Sequence, residues 1–370
     1  MSDLRLRKEV DDCQPYIAGQ TEANVLKRYN LEKVVKLGSN ENPFAPYENE
    51  RLAMLESLSY LNRYPEDDYV DLTQIIADKN AISFENVALG SGAGNVIETT
   101  ARLLLDEGDE VLIAKPTYRL YREVSRLMGA SVKTVPVQSD FSYDLKAMKN
   151  AITAKTKAIW LCNPNNPTGV INNPREIEKF IEDVADDVWV IVDEAYADFI
   201  ETDLRPELLS RIDSKKVIVI RTFSKFYGLA GARVGYIIAN QAVIKAYNTI
   251  TEPFCVNRTG LFAAQAALTK DQARAKEVKE IILAQKEDIG IQLQELGFQV
   301  IPSGANFIFA KLPEPFLALS FCEALMAKGI IIRECDAWGY PEYVRITIGK
   351  KAENQAMLTE IKNIVSKVIS

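Results

Sequence analysis

Histidine is absent from this sequence of 370 residues. Without an imidazole, the chain has no Ser-His-Asp or Cys-His catalytic group, no histidine ligand for zinc and no imidazole general base. Proton transfer near neutral pH therefore requires a lysine, a carboxyl group or a tyrosine with a shifted pKa, or a bound cofactor.

Cysteine is scarce, and its five positions are scattered along the chain. Their number is odd and no Cys-x-x-Cys pair occurs, a pattern typical of reduced thiols in a cytoplasmic protein. Cys162, at the end of an apolar run, is expected to be a core residue. We therefore predict a cytoplasmic location and no bound metal.

Basic residues are also fewer than acidic ones, and the net charge is −7. An acidic chain is a poor match for nucleic acid or for an anionic membrane surface. No apolar run reaches membrane-spanning length, and the first residues are polar and charged, so we expect neither a membrane span nor a signal peptide. The expected partners are small molecules.

What the sequence does have is a large apolar content of 47%, enough for a sizeable core. Short apolar runs alternate with helical patterns between residues 86 and 240. Runs of this kind predict an α/β domain of three layers, in which a mostly parallel sheet is covered on both faces. The runs are residues 87–89, 111–113, 158–161, 189–192 and 217–220.

The C-terminal part has a different pattern, which predicts a smaller α+β domain. A long helical stretch at residues 265–296 is followed by mixed strand and helix patterns at 306–312, 321–328, 330–333 and 344–348. We predict three parts. They are an N-terminal arm, residues 1–30, a large domain, residues 31–255, and a small domain, residues 256–370.

Reactive groups stand where the predicted strands end, and ligands of open α/β sheets bind at that edge. Lys225 follows the run 217–220, and a lysine amine forms Schiff bases with carbonyls once desolvation lowers its pKa. Arg233 offers a fixed cation for a phosphate. Asp193 ends a run where a carboxylate is costly unless paired. Residues 90–95 form a glycine-rich turn whose amides can receive an anion.

Each of these features also has a simpler structural explanation. A lysine after a strand is often part of a surface loop. Asp193 can act as a helix N-cap. The glycine-rich turn can be a flexible connection between a strand and a helix.

Together with further motifs, these residues resemble the fold-type I aminotransferases that depend on pyridoxal 5'-phosphate (PLP), and within them the histidinol-phosphate aminotransferase group. The motifs follow the order of the family from about Tyr16 to the C-terminus. They are Asn40-Glu41-Asn42-Pro43, Arg63-Tyr64-Pro65, Asn163-Pro164-Asn165-Asn166-Pro167-Thr168-Gly169, Val192-Asp193-Glu194-Ala195-Tyr196, Ser224-Lys225 with Arg233, and Tyr343-Val344-Arg345-Ile346-Thr347-Ile348-Gly349. The sequence departs from the group at Gly94, where many members carry an acidic residue.

The resemblance implies the cofactor, PLP, and the residues around it. Lys225 would hold the aldehyde of PLP and later move a proton, and Asp193 would face the ring nitrogen. Asn166 and Tyr196 would hydrogen-bond the phenolic oxygen of the ring, and Tyr118 would stack on the ring. The phosphate would be bound by Gly92, Ala93, Gly94, Thr222, Ser224 and Arg233.

The resemblance also implies how substrate is bound. Arg345 would clamp an acidic group of the substrate, and Arg333 is the second candidate, although an internal salt bridge to Glu334 or Glu342 explains it equally well. Tyr16 and Asn42 are further candidates.

Tyr64 would reach the phosphate in the neighbouring subunit, which implies a homodimer with shared active sites. Its simpler explanation is an ordinary aromatic in an extended segment before Pro65.

The predicted reaction is transamination, with histidinol phosphate as amino donor and 2-oxoglutarate as acceptor, a step of histidine biosynthesis. An aromatic amino-acid aminotransferase is the near alternative, and a PLP-dependent decarboxylase of a phosphorylated amino acid is a more distant one. Two other classes fit less well. A PLP-fold regulator would carry a basic DNA-binding module, and a dinucleotide-binding dehydrogenase would carry Gly-x-Gly-x-x-Gly, where this chain has Asn95.

Overall fold

The structure, a computed structural model, describes residues 7–15 and 19–369. Strands and helices alternate along the chain. The strands are β1 (Val35–Lys36), β2 (Val87–Gly90), β3 (Glu110–Lys115), β4 (Ser131–Pro136), β5 (Thr156–Cys162), β6 (Trp189–Asp193), β7 (Val217–Thr222), β8 (Gly235–Ile238), β9 (Gln299–Ile301), β10 (Phe307–Lys311), β11 (Ile330–Ile331), β12 (Arg333–Glu334) and β13 (Tyr343–Thr347). The helices are α1 (Glu22–Tyr29), α2 (Glu48–Ser57), α3 (Glu66–Asn80), α4 (Gly92–Leu104), α5 (Leu120–Leu127), α6 (Leu145–Ala151), α7 (Pro174–Asp183), α8 (Gln241–Ile250), α9 (Arg258–Thr269), α10 (Gln272–Glu295), α11 (Ala318–Met326) and α12 (Lys351–Ile369).

The largest sheet has seven strands in the order β2-β8-β7-β6-β5-β3-β4. The neighbours from β7 to β4 run parallel, and β8 is antiparallel to both β2 and β7. The predicted α/β class with a mostly parallel sheet is therefore confirmed. Because β5, β6 and β7 are parallel neighbours, their carboxyl ends meet at one edge.

The strands of this sheet are apolar throughout because both faces are buried. Along β7, Val217 and Val219 pack into one core cluster, and Ile218 and Ile220 pack into another on the opposite face. Successive side chains of a strand point to opposite faces, so a strand between two helical layers needs apolar residues at every position.

A second sheet of four strands is antiparallel, in the order β12-β13-β10-β9. A separate two-stranded sheet pairs β1 with β11 in parallel. Residues 35–36 thus join the C-terminal part of the chain through strand pairing. The division into an arm, a large and a small domain stays a prediction.

The predicted helical stretch at residues 265–296 is wrong in one respect, because two helices occupy this region. Helix α9 ends at Thr269 and α10 begins at Gln272. The break is stabilised by Asp271, whose carboxylate accepts hydrogen bonds from the Asn49 side chain at 2.7 Å and from the Glu50 amide at 2.9 Å. These contacts are more than 200 residues apart in the chain, so helical periodicity alone cannot reveal them.

The helices can also be assessed for membrane insertion. None of those within the described residues combines the length and the apolar character that a membrane crossing requires.

Candidate active site

The carboxyl ends of the central strands open into a cavity that also reaches the four-stranded sheet. Cys162, Asp193 and Thr222 are the last residues of β5, β6 and β7. The residues that line the cavity are Gly19, Gly38, Ser39, Asn40, Ala93, Gly94, Tyr118, Arg119, Cys162, Asn166, Asp193, Ala195, Tyr196, Thr222, Ser224, Lys225, Ala230, Arg233, Arg333, Trp338 and Arg345. Twelve of the residues predicted from the sequence are among them.

Lys225 lies three residues beyond β7, with its amine inside the cavity. Its Nζ donates to the backbone oxygen of Ser39 at 3.1 Å. Burial lowers the pKa of Lys225 to about 8, and the positive charge of Arg345 acts in the same direction. About a tenth of this lysine is therefore an uncharged amine at pH 7, far more than for an ordinary lysine, and a nucleophile or a general base requires this form.

Asp193 lies at the bottom of the cavity and is 3% exposed. Its Oδ1 accepts from the Ala195 amide at 2.9 Å, and its Oδ2 accepts from the Tyr121 hydroxyl at 2.6 Å. Burial raises the pKa of Asp193 to about 6, against these two hydrogen bonds, which lower it. The carboxylate is thus ionised at neutral pH and held in a fixed orientation. Through its contact with Ala195, Asp193 caps the following turn, and it lines the cavity at the same time.

Tyr121 was not predicted from the sequence. It is fully buried, and its ring stacks on Trp160 with 5.0 Å between ring centroids and 7° between planes. This packing fixes the hydroxyl against Asp193. Its sequence signal is the spacing of three residues after Tyr118, which places Tyr118 just before α5 and Tyr121 in the first turn of α5, with their rings edge to face at 5.5 Å.

Asn40 is a second residue that the sequence reasoning missed. Its side-chain amide donates to the Tyr196 hydroxyl at 2.9 Å, and its own oxygen accepts from the Thr347 hydroxyl at 3.1 Å. Asn40 has a positive φ of 55°, a conformation that asparagine tolerates better than most residues. It links Tyr196 to β13. The motif containing Asn40 had been recognised, but Asn42 was selected from it.

One end of the cavity has the groups of a phosphate site. Helix α4 begins there, and Gly92 leaves room for Arg233, since a Cβ on Gly92 would lie 2.2 Å from Arg233 Nη2. Ser224 Oγ accepts from Arg233 Nη1 at 3.4 Å and lies 3.0 Å from the Thr222 hydroxyl. A guanidinium, two hydroxyls and a helix N-terminus together favour a bound anion.

The opposite wall of the cavity comes from the four-stranded sheet. Arg333 on β12 and Arg345 on β13 are direct register partners, and each is 6% exposed. Arg345 donates to Asn166 Oδ1 at 2.7 Å and to the backbone oxygen of Gly38 at 2.8 Å. Arg333 Nη1 lies 3.8 Å from Glu334 Oε1, so the predicted alternative of an internal ion pair also has a counterpart in the structure.

Three described residues of the prediction, Gly92, Asn42 and Tyr64, do not line the cavity, and Gly92 lies beside it at the start of α4. Asn42 donates to the backbone oxygen of Phe226 at 2.9 Å and to the Tyr47 hydroxyl at 3.2 Å. It therefore supports the chain next to Lys225, and its predicted contact with substrate stays a prediction. Tyr64 is 71% exposed and stacks on Phe254 at 4.5 Å. Tyr16 lies outside the described residues.

Comparison with known proteins shows where this arrangement belongs. Residues 32–361 match the sequence profile of the family described as aminotransferase class I and II. The chain belongs to this family.

Its relatives are similar along almost their whole length. The histidinol-phosphate aminotransferase of Moorella thermoacetica is 34% identical over 364 residues, which cover 98% of this chain and 93% of the relative. The protein of the same name from Caldicellulosiruptor saccharolyticus is 34% identical, covering 97% of this chain and 99% of the relative. The crystal structure of histidinol-phosphate aminotransferase from Sinorhizobium meliloti in complex with PLP has a TM-score of 0.89 at 26% identity and covers 99% of both chains.

PLP is the cofactor of this aminotransferase, and the cavity fits it. The lysine with a lowered pKa, a buried carboxylate and an aromatic side chain, Tyr118, lie in the same cavity as the phosphate-type site next to Gly92. The space that Gly92 leaves is itself informative, because any larger residue would displace Arg233. A bound PLP requires these groups: an amine, an anion for the pyridine nitrogen, a stacking face and a phosphate cradle.

Proposed function

We propose that the enzyme transfers the amino group of histidinol phosphate to 2-oxoglutarate, giving imidazole acetol phosphate and glutamate, a step of histidine biosynthesis. The observation that carries the proposal is the pair of buried arginines, Arg333 and Arg345, side by side in the cavity that contains Lys225. The names of the full-length relatives support it.

The proposed chemistry assigns a task to each polar residue at the strand ends. When bound, PLP supplies an aldehyde that joins the amine of the substrate and a ring that accepts the electrons of the Cα–H bond. Lys225 Nζ would accept the proton from Cα of the donor and deliver it to the carbon that carried the aldehyde of PLP, so that the amino group stays with the cofactor. The Asp193 carboxylate provides the negative charge at the bottom of the cavity. Tyr196 and Asn166 orient the cofactor through its phenolic oxygen.

The two arginines suit both substrates of the proposed reaction. Histidinol phosphate has a phosphate and no α-carboxylate, whereas glutamate and 2-oxoglutarate have two carboxylates. A guanidinium binds either kind of anion through two parallel hydrogen bonds. Phenylalanine offers an α-carboxylate with one negative charge, whereas the phosphate of histidinol phosphate carries up to two, so the arginine pair favours histidinol phosphate over phenylalanine.

A panel of amino donors tests this proposal. With 2-oxoglutarate as acceptor, histidinol phosphate should have a higher kcat/KM than phenylalanine, tyrosine or aspartate. A higher value for phenylalanine would replace the proposal with an aromatic amino-acid aminotransferase. Carbon dioxide release from a phosphorylated amino acid, without glutamate formation, would indicate the decarboxylase.

We also propose that the enzyme is a homodimer in which Tyr64 reaches the phosphate site of the partner subunit. Tyr64 is exposed together with a group of apolar side chains on and after α2, and such a cluster is typical of an interface. The group comprises Leu52, Leu55, Leu58, Tyr60 and Leu61.

Mixing two inactive variants tests this arrangement. Lys225→Ala and Tyr64→Ala subunits should regain activity together, because one site of the heterodimer would then carry neither lesion. A lack of recovery in proven heterodimers would place Tyr64 within its own site, and a monomer in sedimentation experiments would refute the dimer itself.

The proposed location is the cytoplasm. All five cysteines are free thiols, which supports a reducing compartment. Fractionation of the source cells tests this, and recovery outside the cytoplasm would contradict it.

A further inference from the structure

The arginine pair has an unfavourable feature that the proposed function does not explain. Arg333 and Arg345 are directly opposite each other across β12 and β13, and both are buried. Like charges in opposite positions of an antiparallel pair repel each other. The ion pair of Arg333 with Glu334 and the hydrogen bonds of Arg345 to Asn166 and Gly38 offset part of this repulsion, and an aromatic face shared by both guanidinium groups would offset it further.

Trp338 is in a position to do this. The Arg333 and Arg345 guanidinium carbons each lie 5.7 Å from the centroid of the Trp338 ring. The face of an indole attracts cations, and it does so more strongly where water is excluded. Arg345 also lies 5.4 Å from the ring of Phe307, whereas Trp338 contacts both arginines.

The orientation of Trp338 is fixed from two directions. Its indole Nε1 donates to the backbone oxygen of Thr117 at 2.9 Å. It ends a short 3₁₀ helix, Asp336–Trp338, which is closed by Gly339 with a φ of 88°. This conformation favours glycine, although a Cβ at position 339 would meet no atom within 4 Å.

The hydrogen bond to Thr117 also joins the two walls of the cavity. Thr117 precedes Tyr118, and its hydroxyl donates to Asn165 Oδ1 at 2.9 Å. Trp338 therefore connects the turn after β12 to the segment that contains the cofactor-stacking residue. The position of the substrate arginines becomes coupled to the position of that segment.

We propose that Trp338 is a positioning residue that holds Arg333 and Arg345 side by side for the anionic groups of both substrates. This inference rests on the proposed use of the two arginines, but it does not depend on which amino donor is the natural one. It predicts that loss of the indole weakens anion binding and leaves the chemical step nearly unchanged.

The experiment measures the binding of glutarate, a dicarboxylate that resembles 2-oxoglutarate but has no carbonyl group to react. The PLP-loaded enzyme is titrated with glutarate, and KM and kcat are measured with 2-oxoglutarate.

Trp338→Leu removes the aromatic face, and Trp338→Phe retains a face but loses the N–H donor. Gly339→Ala retains the indole but strains the turn that presents it. Trp189→Leu is the matched control, since Trp189 also has a cation–π contact, with Lys216 Nζ at 5.6 Å, but does not line the cavity.

For Trp338→Leu we expect a Kd for glutarate and a KM for 2-oxoglutarate raised about tenfold, corresponding to about 1.4 kcal/mol. Trp338→Phe and Gly339→Ala should show smaller increases, and kcat should change less than threefold. Trp189→Leu should bind like the wild type. A merely structural role would instead lower Tm and kcat together without rescue by phenylalanine.

Two results would overturn the proposal. The first is that Trp338→Phe and Gly339→Ala both bind glutarate like the wild type, while Trp338→Leu either binds like the wild type as well or fails to fold. The other is an equal loss in Trp189→Leu. Failure of the donor proposal would appear separately, because the glutarate titration contains no amino donor.

Discussion

The two walls of the cavity differ in the kind of charge that they contribute. At the edge of the seven-stranded sheet, burial shifts the pKa of Lys225 down to about 8 and that of Asp193 up to about 6, so both values lie near neutrality. The four-stranded sheet contributes two guanidinium groups, Arg333 and Arg345, which can each bind an anion through two parallel hydrogen bonds. Apart from the phosphate-type site at Arg233, the first wall is suited to moving protons, and the second is suited to holding the anionic groups of the substrates. Changes at the first wall should therefore affect kcat, and changes at the second should affect KM.

The largest effect is expected from Lys225→Ala. In the proposed mechanism this amine both attaches PLP and moves the proton, so kcat should fall by at least about 10³-fold without it. PLP should still bind through the phosphate site. Activity within tenfold of the wild type would contradict the assignment of proton transfer to the first wall.

The wild type provides an internal control for this assignment. Borohydride reduction fixes PLP covalently to the lysine that holds it, and peptide mapping identifies that lysine. Lys286 also has a pKa lowered to about 8 by burial, but it donates to the backbone oxygen of Ala305 at 2.9 Å and does not line the cavity. The label should appear on Lys225 and not on Lys286.

Asp193→Asn should have the next largest effect. Asparagine retains the shape, can accept from the Ala195 amide through its oxygen and can donate its NH2 group to the Tyr121 hydroxyl oxygen, but it has no charge for the ring nitrogen of PLP. We expect kcat to fall by about 10²-fold or more. The raised pKa of Asp193 means that its charge is a cost to the folded state at pH 8, so Tm of the PLP-free protein should not decrease. An unchanged kcat would reduce Asp193 to a capping residue.

Arg345→Lys tests the second wall. A lysine retains the charge but cannot form the two parallel hydrogen bonds of a guanidinium. We expect KM to rise about tenfold or more for both the donor and 2-oxoglutarate, with a smaller change in kcat. Arg28→Lys is the matched control, because Arg28 forms an exposed ion pair with Glu323. A decrease in kcat without a change in KM would contradict the assignment of substrate binding to the second wall.

Residues at the ends of apolar strands could be predicted from the sequence more easily than contacts between distant segments. Asp193 and Lys225 on the first wall stand in short motifs at such strand ends, so they could be located by local pattern alone. Contacts between distant segments could not. Tyr121 meets Asp193 across 72 residues, Asn40 meets Tyr196 across 156, and Trp338 meets Thr117 across 221. Their partners are set by tertiary packing, which no single segment encodes.

The fold was predictable to a similar extent and for a similar reason. Strands that are buried on both faces can be recognised in the sequence by continuous apolar runs, as in β6 and β7. The break between α9 and α10 depends instead on Asp271 receiving donors from α2. Such a break is set by a distant partner and has little local signal.

The smallest expected effect, and the most specific, is that of Tyr121→Phe. The Tyr121 hydroxyl donates to Asp193 at 2.6 Å and lowers the pKa of that carboxyl, while burial raises it to about 6. Phenylalanine keeps the stacking on Trp160 but removes the hydrogen bond, so the pKa of Asp193 should rise further. Since the active form of Asp193 is the carboxylate, activity is lost as the pH falls through this pKa. The acidic limb of the kcat/KM profile should therefore move to higher pH by up to about one unit, with little change at pH 8.5.

Tyr247→Phe is the control, because it removes another buried tyrosine hydroxyl from a residue that does not line the cavity. An unchanged acidic limb in Tyr121→Phe, or an equal shift in the control, would show that the charge of Asp193 is set by burial alone and that the first wall is tuned without its tyrosine.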